Sequence, residues 1–197
     1  MKIIGLTGGI ATGKSTVSEM LRRRGIPIID ADQIARDVVR PGRCAWKKIR
    51  KAFGDDILSA NGEVDREKLA GIVFQDTQAR MKLNHATHPH ISRQILKQLI
   101  MYFLKGTPLV ILDAPLLLES STRKMVGSVV VVSTDPETQL KRLMARNGYT
   151  IEEATQRVQA QMPLKEKCEM ADYVIDNSGS LTATEQQLDT MLEEISR

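Results

Sequence analysis

The sequence predicts an α/β protein of three layers, in which a five-stranded parallel sheet lies between two layers of helices. Five short apolar runs, each of a length that suits a buried strand, alternate with helix-like segments along the chain. They lie at residues 3–6, 26–30, 108–112, 128–133 and 171–176. Strands that alternate with helices pair in parallel, because each connection crosses one face of the sheet. The one long interval without a strand, residues 45–106, is helical in character and predicts an insertion into this fold.

The first strand runs into the stretch Gly8-Gly9-Ile10-Ala11-Thr12-Gly13-Lys14-Ser15, which matches the phosphate-binding pattern G-x-x-x-x-G-K-S. Glycines allow successive backbone N–H groups to point into one concavity at a helix N-terminus, which attracts anions. In this pattern the lysine reaches the β- and γ-phosphates, and the serine hydroxyl is placed to ligate Mg²⁺. A glycine-rich turn that binds nothing is the alternative, and the agreement of strand, loop and helix disfavours it. The sequence therefore predicts a P-loop NTPase fold that binds a nucleoside triphosphate.

Carboxylates follow two of the predicted strands. Asp30 and Asp32 follow the second strand, and Asp113 follows the third. In open α/β sheets, ligands bind outside the carboxyl ends of the strands. Asp113 has the position of the Walker-B carboxylate, which helps to hold Mg²⁺. Asp30 and Asp32 each suit two roles, an N-cap of the next helix or the acceptor of a hydroxyl proton, and the pattern favours neither role.

Residues 138–169 predict a helical lid. Arg142 and Arg146 stand four residues apart and therefore share one helix face. Small P-loop enzymes use such cations to clamp the transferring phosphoryl group, which is the interpretation that we favour. The alternative is a solvated basic face that pairs with Glu152 and Glu153.

All three histidines lie in the helical interval, at His85, His88 and His90. A zinc site is one interpretation, but no cysteine or acidic cluster supplies the remaining ligands. We expect instead a helix boundary at His88-Pro89, with Pro89 in the first turn of a helix that runs to Leu104.

Composition narrows the class of protein further. The formal net charge of +4 is too small to indicate a nucleic-acid partner. No apolar run approaches the roughly 20 residues of a membrane span, and no secretory signal is visible. The two cysteines, Cys44 and Cys168, lie far apart and predict reduced thiols rather than a disulfide framework. We therefore expect a cytoplasmic protein, a monomer or weak homo-oligomer, with no membrane partner.

Taken together, these elements resemble the dephospho-CoA kinase family along nearly the whole chain. The segments that carry the resemblance are residues 6–10, 13–16, 29–32, 35–36, 62–66, 88–91, 113–119, 138–146, 160–161 and 171–177. A P-loop alone would indicate only a superfamily, whereas this ordered set, with its Asp-Ala-Asp and His-Pro elements, is specific. Two departures are visible: Ala11-Thr12 replaces the common Gly-Ser, and Leu118 replaces the usual Phe. Ala11 demands a non-glycine conformation at that turn.

The resemblance implies a fold like that of nucleoside monophosphate kinases and a reaction between ATP and dephospho-CoA. The 3′-hydroxyl of dephospho-CoA would attack the γ-phosphorus of ATP, which gives CoA and ADP. Asp32 would be the general base, with Lys14 and Arg142 as the other catalytic residues, and Asp30 would have a structural role.

The motif and the resemblance together assign the binding residues. The ATP contacts are Gly8, Gly9, Ala11, Thr12, Gly13, Lys14, Ser15, Thr16, Arg146, Asn177 and Gly179. The acceptor contacts are Asp32, Arg66, His88, Leu116 and Glu119. The Mg²⁺ ligands are Ser15 and Asp113.

The predicted organisation is a single kinase domain. Its core comprises residues 1–44, 107–137 and 170–197, its acceptor-binding insertion residues 45–106, and its lid residues 138–169. Three other functions stay open: another small-molecule kinase, such as one acting on a nucleoside monophosphate, a P-loop regulatory ATPase, and a nucleic-acid-binding ATPase. The Asp-Ala-Asp and His-Pro elements argue against the first. No Asn-Lys-x-Asp element supports a guanine-reading switch, and no aromatic platform supports the third.

Overall fold

The computed structural model describes residues 1–196. Five parallel strands form one sheet in the order β2-β3-β1-β4-β5. The strands are β1 (Lys2–Gly8), β2 (Ile28–Asp30), β3 (Leu109–Asp113), β4 (Ser128–Ser133) and β5 (Tyr173–Asp176). β1 pairs with both β3 and β4, so the P-loop leaves the central strand of the sheet. The predicted α/β class and the five-stranded parallel sheet are confirmed.

Nine helices accompany the sheet within the described residues. They are α1 (Lys14–Arg23), α2 (Ala31–Val38), α3 (Cys44–Phe53), α4 (Arg66–Gln75), α5 (Thr77–Leu104), α6 (Pro136–Asn147), α7 (Ile151–Gln159), α8 (Leu164–Glu169) and α9 (Leu181–Ser196). A short 3₁₀ helix spans Ser121–Met125. None of the helices in residues 1–196 combines the length and the apolarity that a membrane crossing requires.

The centre of the sheet is buried on both faces, as the valine-rich sequence of β4 predicts, whereas Val174 on the edge strand β5 is 43% exposed. All four valines of β4 are at most 1% exposed. One face packs against α1 and α9 in a cluster that contains Ile4, Leu6, Val17, Met20, Leu21, Ile111, Val130, Val132, Ile175, Leu188, Met191 and Ile195. Near-continuous apolar runs are typical of parallel strands that helices cover on both sides. This packing holds the carboxyl ends of the strands, and the loops that follow them, in fixed positions.

The chain forms two compact units. The sheet unit comprises residues 1–29 and the chain from Gly106 onward, and the helical unit comprises residues 30–105. In the helical unit, α5 packs against α2, α3 and α4 around Ile49, Ile57, Leu69 and Ala86. We predicted that the helical insertion begins at residue 45, whereas the compact helical unit begins at residue 30 and so includes residues 30–44.

Helix α5 continues through Pro89, so the predicted helix boundary at His88-Pro89 is wrong. A proline inside a helix lacks an N–H group and crowds the carbonyl four residues earlier, which costs about 3 kcal/mol. Buried side chains on both sides of the proline offset this cost: Ala86 and Thr87 precede it, and Ile95 and Leu99 follow it. Packing of the whole helix therefore outweighs the local signal.

Candidate active site

The P-loop follows β1 and has the backbone conformation that its glycines suggest. Gly13 caps α1 with φ of 89° and has no side chain with which to cap, so no side chain occupies the first turn, where only the N–H of Thr16 is drawn back to the carbonyl of Gly13, at 2.9 Å. An N-terminus without a side-chain cap is suited to an anion. Ala11 has φ of 59°, in the left-handed region that side chains disfavour. The non-glycine conformation that we expected at Ala11 is therefore wrong: the turn keeps a conformation that glycine favours, and Ala11 adopts it at a cost of about 1–2 kcal/mol.

Asn177 explains why position 13 must be glycine. Its Nδ2 donates to the carbonyl of Thr12 at 2.9 Å, and its Oδ1 accepts from Thr184 Oγ1 at 3.0 Å. A Cβ atom built on Gly13 would lie 2.0 Å from Asn177 Nδ2. Asn177, which we predicted near the nucleotide, thus braces the P-loop from the end of β5. Gly179, two residues further, is exposed.

The lysine of the P-loop meets the Walker-B carboxylate. Lys14 Nζ forms an ion pair with Asp113 Oδ1, and Ser18 Oγ donates to Asp113 Oδ2 at 2.7 Å. Asp113 is only 5% exposed, at the end of β3, whereas Ser15 is exposed in the first turn of α1. The sequence analysis missed Ser18, although its place one helical turn after Lys14 puts it on the same face.

Arg142, one of the two arginines of the predicted lid segment, lies beside the loop. Its NH2 donates to the carbonyl of Asn177 at 2.9 Å. Its NH1 is buried, has no hydrogen-bond partner in the described part of the chain, and lies 3.7 Å from a Cβ built on Gly13. A buried guanidinium N–H without a partner is costly, and an anion beside the loop would satisfy it. Arg146 is exposed and donates to Asn147 Oδ1 at 2.9 Å.

Two glutamines hold the middle of the loop. Gln139 Nε2 donates to the carbonyl of Ile10 at 2.8 Å, and the N–H of Ile10 donates to Gln161 Oε1 at 2.8 Å. Gln139 lies on α6 and Gln161 follows α7, so both come from the predicted lid segment. The sequence analysis assigned no role to either residue.

A buried lysine closes the other end of the loop. Lys167 on α8 is 0% exposed, and its Nζ pairs with Glu119 Oε1 at 2.9 Å. The same ammonium group donates to the carbonyls of Pro115 at 3.3 Å and Gly8 at 3.5 Å. Glu119, which we predicted as an acceptor contact, is thus the ion-pair partner of this lysine. No sequence signal identified Lys167, since lysines are ordinary in short helices.

The whole sequence, and not only the P-loop, is similar to known proteins. The sequence model of the family described as dephospho-CoA kinase matches residues 2–183. The chain belongs to the dephospho-CoA kinase family. The dephospho-CoA kinase of Bacillus anthracis is 49% identical over 191 residues, which is 97% of this chain and 96% of that protein. The dephospho-CoA kinase of Geobacillus kaustophilus is 51% identical over 191 residues, 97% of this chain and 95% of that protein.

Solved structures agree with the family assignment. The dephospho-CoA kinase of Campylobacter jejuni has a TM-score of 0.74 and 31% identity, and the match covers 100% of this chain and 98% of that chain. TT1252 from Thermus thermophilus has a TM-score of 0.86 and 34% identity, with 98% and 97% covered. Shikimate kinase from Bacteroides thetaiotaomicron, at a TM-score of 0.51 and 14% identity with 100% and 99% covered, shares the fold. The predicted P-loop kinase fold and kinase activity class are confirmed.

The residues that we predicted to contact the acceptor lie on three helices and one loop. Asp30 caps α2, because its Oδ1 accepts from the N–H of Gln33 at 2.8 Å, and Asp32 lies in the first turn of the same helix. Arg66 begins α4, and His88 is exposed in the middle of α5. Leu116 is 57% exposed after β3.

Metal-ligating side chains are dispersed. Among residues 1–196, no group of three or more His, Cys, Asp and Glu side chains is close enough to hold a metal ion. A Mg²⁺ site does not need such a group, because Mg²⁺ in kinases is held by one or two protein ligands together with the substrate phosphates. The carboxylate of Asp113 and the hydroxyl of Ser15 are oxygen donors of the right chemistry.

Proposed function

We propose that this protein transfers the γ-phosphoryl group of ATP to the ribose 3′-hydroxyl of dephospho-CoA, giving CoA and ADP. Membership of the dephospho-CoA kinase family supports the acceptor. The observation that carries the proposal is the buried NH1 of Arg142 beside Gly13 of the P-loop, which has no hydrogen-bond partner among residues 1–196. A transferring phosphoryl group at this place would satisfy that nitrogen and the loop N–H groups together.

Stabilisation of the phosphoryl group falls to cations on two elements. Lys14, Arg142 and the loop N–H groups are placed to balance the charge that spreads over the phosphate oxygens. Lys14 is paired with Asp113, and the phosphates of ATP would compete for its ammonium group. Ser15 and Asp113 would hold Mg²⁺, which supplies charge neutralisation at the β- and γ-oxygens when bound.

Asp32 is our proposed general base. Its carboxylate follows the carboxyl end of β2 by two residues, and Asp30 is already used as the cap of α2. An Asp in this role accepts the proton of the attacking hydroxyl late in the transfer.

Asp32→Asn should therefore lower kcat by about 10²–10⁴ and leave ATP affinity within about twofold. The measurement is steady-state turnover together with equilibrium ATP binding, and Asp56→Asn, an exposed carboxylate of the helical unit, is the matched control. Full turnover of Asp32→Asn would remove this residue from the mechanism.

One experiment tests the whole assignment. ADP release from Mg-ATP is measured in four parallel reactions, which contain dephospho-CoA, adenosine, AMP or no acceptor. The mass of each product is determined by mass spectrometry. The proposal is supported if, of the four reactions, only the one with dephospho-CoA releases ADP and its product is heavier than dephospho-CoA by one phosphate. Turnover with AMP would indicate a nucleoside monophosphate kinase, and equal ADP release without acceptor would indicate an ATPase.

We also propose that the protein acts in the cytoplasm, as a monomer or weak homo-oligomer. Cys44 and Cys168 are both free thiols, and Cys44 is exposed, which suits a reducing compartment.

A further inference from the structure

An apolar stripe runs along the last turns of α5, outside the core. It consists of side chains that are between 41% and 78% exposed, namely Leu96, Ile100, Met101, Phe103 and Leu104. Leu96, Ile100 and Phe103 follow one another at steps of four and three residues, which is the spacing of side chains on one face of a helix. Ile95 and Leu99, on the same turns, are buried. The α5 stripe is therefore a second apolar face, separate from the face by which α5 packs into the helical unit.

The α5 stripe is large enough to be a binding surface. Its exposed side chains present roughly 500 Å² of apolar surface, where the largest apolar patch of a typical monomer has about 300–600 Å² and is often functional. Two copies that cover each other's stripe would bury about 1,000 Å², to which the aliphatic stems of neighbouring long side chains add. Specific protein interfaces bury about 1,200–2,000 Å² in total. The stripe is thus sufficient for a specific dimer, but only for a weak one.

The apolar residues of the stripe match those of a second copy when two α5 helices run antiparallel. Leu96 and Leu104 are each four residues from Ile100, which is about 6 Å along the helix axis. In an antiparallel pair centred on Ile100, Leu96 of one copy therefore lies opposite Leu104 of the other, and Ile100 lies opposite itself. The stripe is complementary to itself in this arrangement.

The charged residues at the edge of the stripe fit the same arrangement. α5 contains no Asp or Glu, and Arg93 and Lys97 flank the stripe. Lys97 of one copy lies opposite Phe103 of the other, whose ring face attracts a cation. Arg93 lies just past the C-terminal end of the other α5, at the negative end of its dipole, where the last turn contains no basic residue. These two basic residues of one copy consequently do not face those of the other.

We propose that the α5 stripe is the interface of a weak homodimer, in which two α5 helices pack antiparallel about a two-fold axis at Ile100. A two-fold axis makes the interface isologous, so each contact occurs twice and the assembly closes at two copies. The inference goes beyond the proposed reaction and is independent of the acceptor, because the stripe contains none of the proposed catalytic or substrate-binding residues.

Sedimentation velocity from about 1 µM to about 500 µM protein measures this association, for which we expect a Kd of roughly 10–100 µM. Ile100→Glu places two carboxylates side by side at the centre of the interface and should weaken association at least about tenfold. Phe74→Glu is the matched control, because Phe74 is 90% exposed on α4 and lies outside the stripe. Far-ultraviolet circular dichroism checks that each variant is folded. A wild-type protein that stays monomeric throughout this range, or equal weakening by both substitutions, would overturn the inference.

Disulfide cross-linking tests the position of the axis. In a Cys44→Ser, Cys168→Ser background, Ile100→Cys places two thiols on the axis, where they can form a disulfide between the copies. Lys97→Cys is the control, because two Cα atoms at this position are about 9 Å apart along the helix axes, beyond the roughly 7 Å that a disulfide can span. Cross-linking through Ile100→Cys alone supports the antiparallel pair. Equal cross-linking through both positions, or none, contradicts it.

An apolar face with a basic edge also suits an anionic lipid surface, so vesicle binding is measured on the same proteins. Flotation with vesicles of phosphatidylglycerol and phosphatidylcholine is the assay. Vesicle binding that Ile100→Glu abolishes, in a protein that does not self-associate, would assign the stripe to a membrane and overturn the homodimer. Self-association without vesicle binding supports the homodimer.

Discussion

Replacing Lys167 with methionine tests whether a buried ion pair holds the P-loop. The ammonium group is 0% exposed and binds Glu119 together with the carbonyls of Gly8 and Pro115. Gly8 is the first residue of the P-loop, and Pro115 follows the Walker-B Asp113 by two residues. Methionine has a similar length but donates no hydrogen bond, so the substitution removes all three interactions at once.

The expected loss follows from the burial of the pair. Removing one partner of a buried ion pair costs about 3–5 kcal/mol, because the other charge is left without compensation. The Glu119 side chain is 24% exposed, so water can solvate part of its charge. We therefore expect a loss near the lower end, about 3 kcal/mol, which is a large part of the 5–15 kcal/mol that is typical of a whole domain. Adding Glu119→Gln removes the stranded charge and should restore about 1–2 kcal/mol of it.

Urea unfolding of the wild type, both single variants and the double variant measures this cycle. ATP binding is measured on the same proteins, and we expect weaker binding in Lys167→Met because the carbonyl of Gly8 loses its anchor. Lys165→Met is the matched control, since Lys165 is exposed on the same helix and should change stability by less than about 0.5 kcal/mol. A loss below about 1 kcal/mol in Lys167→Met, with unchanged ATP affinity, would refute the bracing role.

Two further predictions concern the P-loop backbone and the helical unit. Gly13→Ala places a Cβ 2.0 Å from Asn177 Nδ2 at φ of 89°, so ATP affinity should fall at least about tenfold. The control is Gly148→Ala, because Gly148 has φ of 69° but no atom near the added Cβ, so this variant has the backbone strain without the clash. An equal effect of both substitutions on ATP binding would exclude the clash as the cause. Burial, aided by two basic neighbours, lowers the pKa of His90, so the folded state favours the neutral ring. The free energy of unfolding should then decrease as the pH falls below about 6.5, because the unfolded chain binds the proton more readily. Urea unfolding at about pH 7.5 and about pH 5.5 should show a smaller decrease for His90→Gln than for the wild type, and equal decreases would contradict this assignment.

The features that the sequence predicted are those that depend on residues close together in the chain. The P-loop needs only a strand, eight residues and a helix, so one short stretch of the sequence identifies it. The continuity of α5 through Pro89 was not predictable, because it depends on packing against three other helices. Asp30 and Asp32 are equivalent as a pattern, and only the hydrogen bond from Gln33 shows which one caps α2.

The braces of the P-loop were missed for the same physical reason. Gln139, Gln161 and Lys167 are ordinary polar residues of helical segments, and each acquires its role through a contact with the loop more than a hundred residues earlier. Sequence periodicity describes which face of a helix is apolar, but it does not describe what a polar residue on the other face will meet. Such residues can be found from one sequence only after the fold has brought them to their partners.

The arrangement of these braces also bears on the proposed binding of phosphate by the loop. Alternate residues of the loop, Gly8, Ile10 and Thr12, have their carbonyls held by Lys167, Gln139 and Asn177. These donors satisfy the carbonyl oxygens, which would otherwise repel an anion, and they fix the loop before a ligand arrives. In the part of the chain that the structure describes, NH1 of Arg142 has no hydrogen-bond partner, and under our proposal it serves the substrate. A loop whose carbonyls are held in place before phosphate binds requires little reorganisation, and such preorganisation is the main electrostatic contribution that a protein can make to phosphoryl transfer.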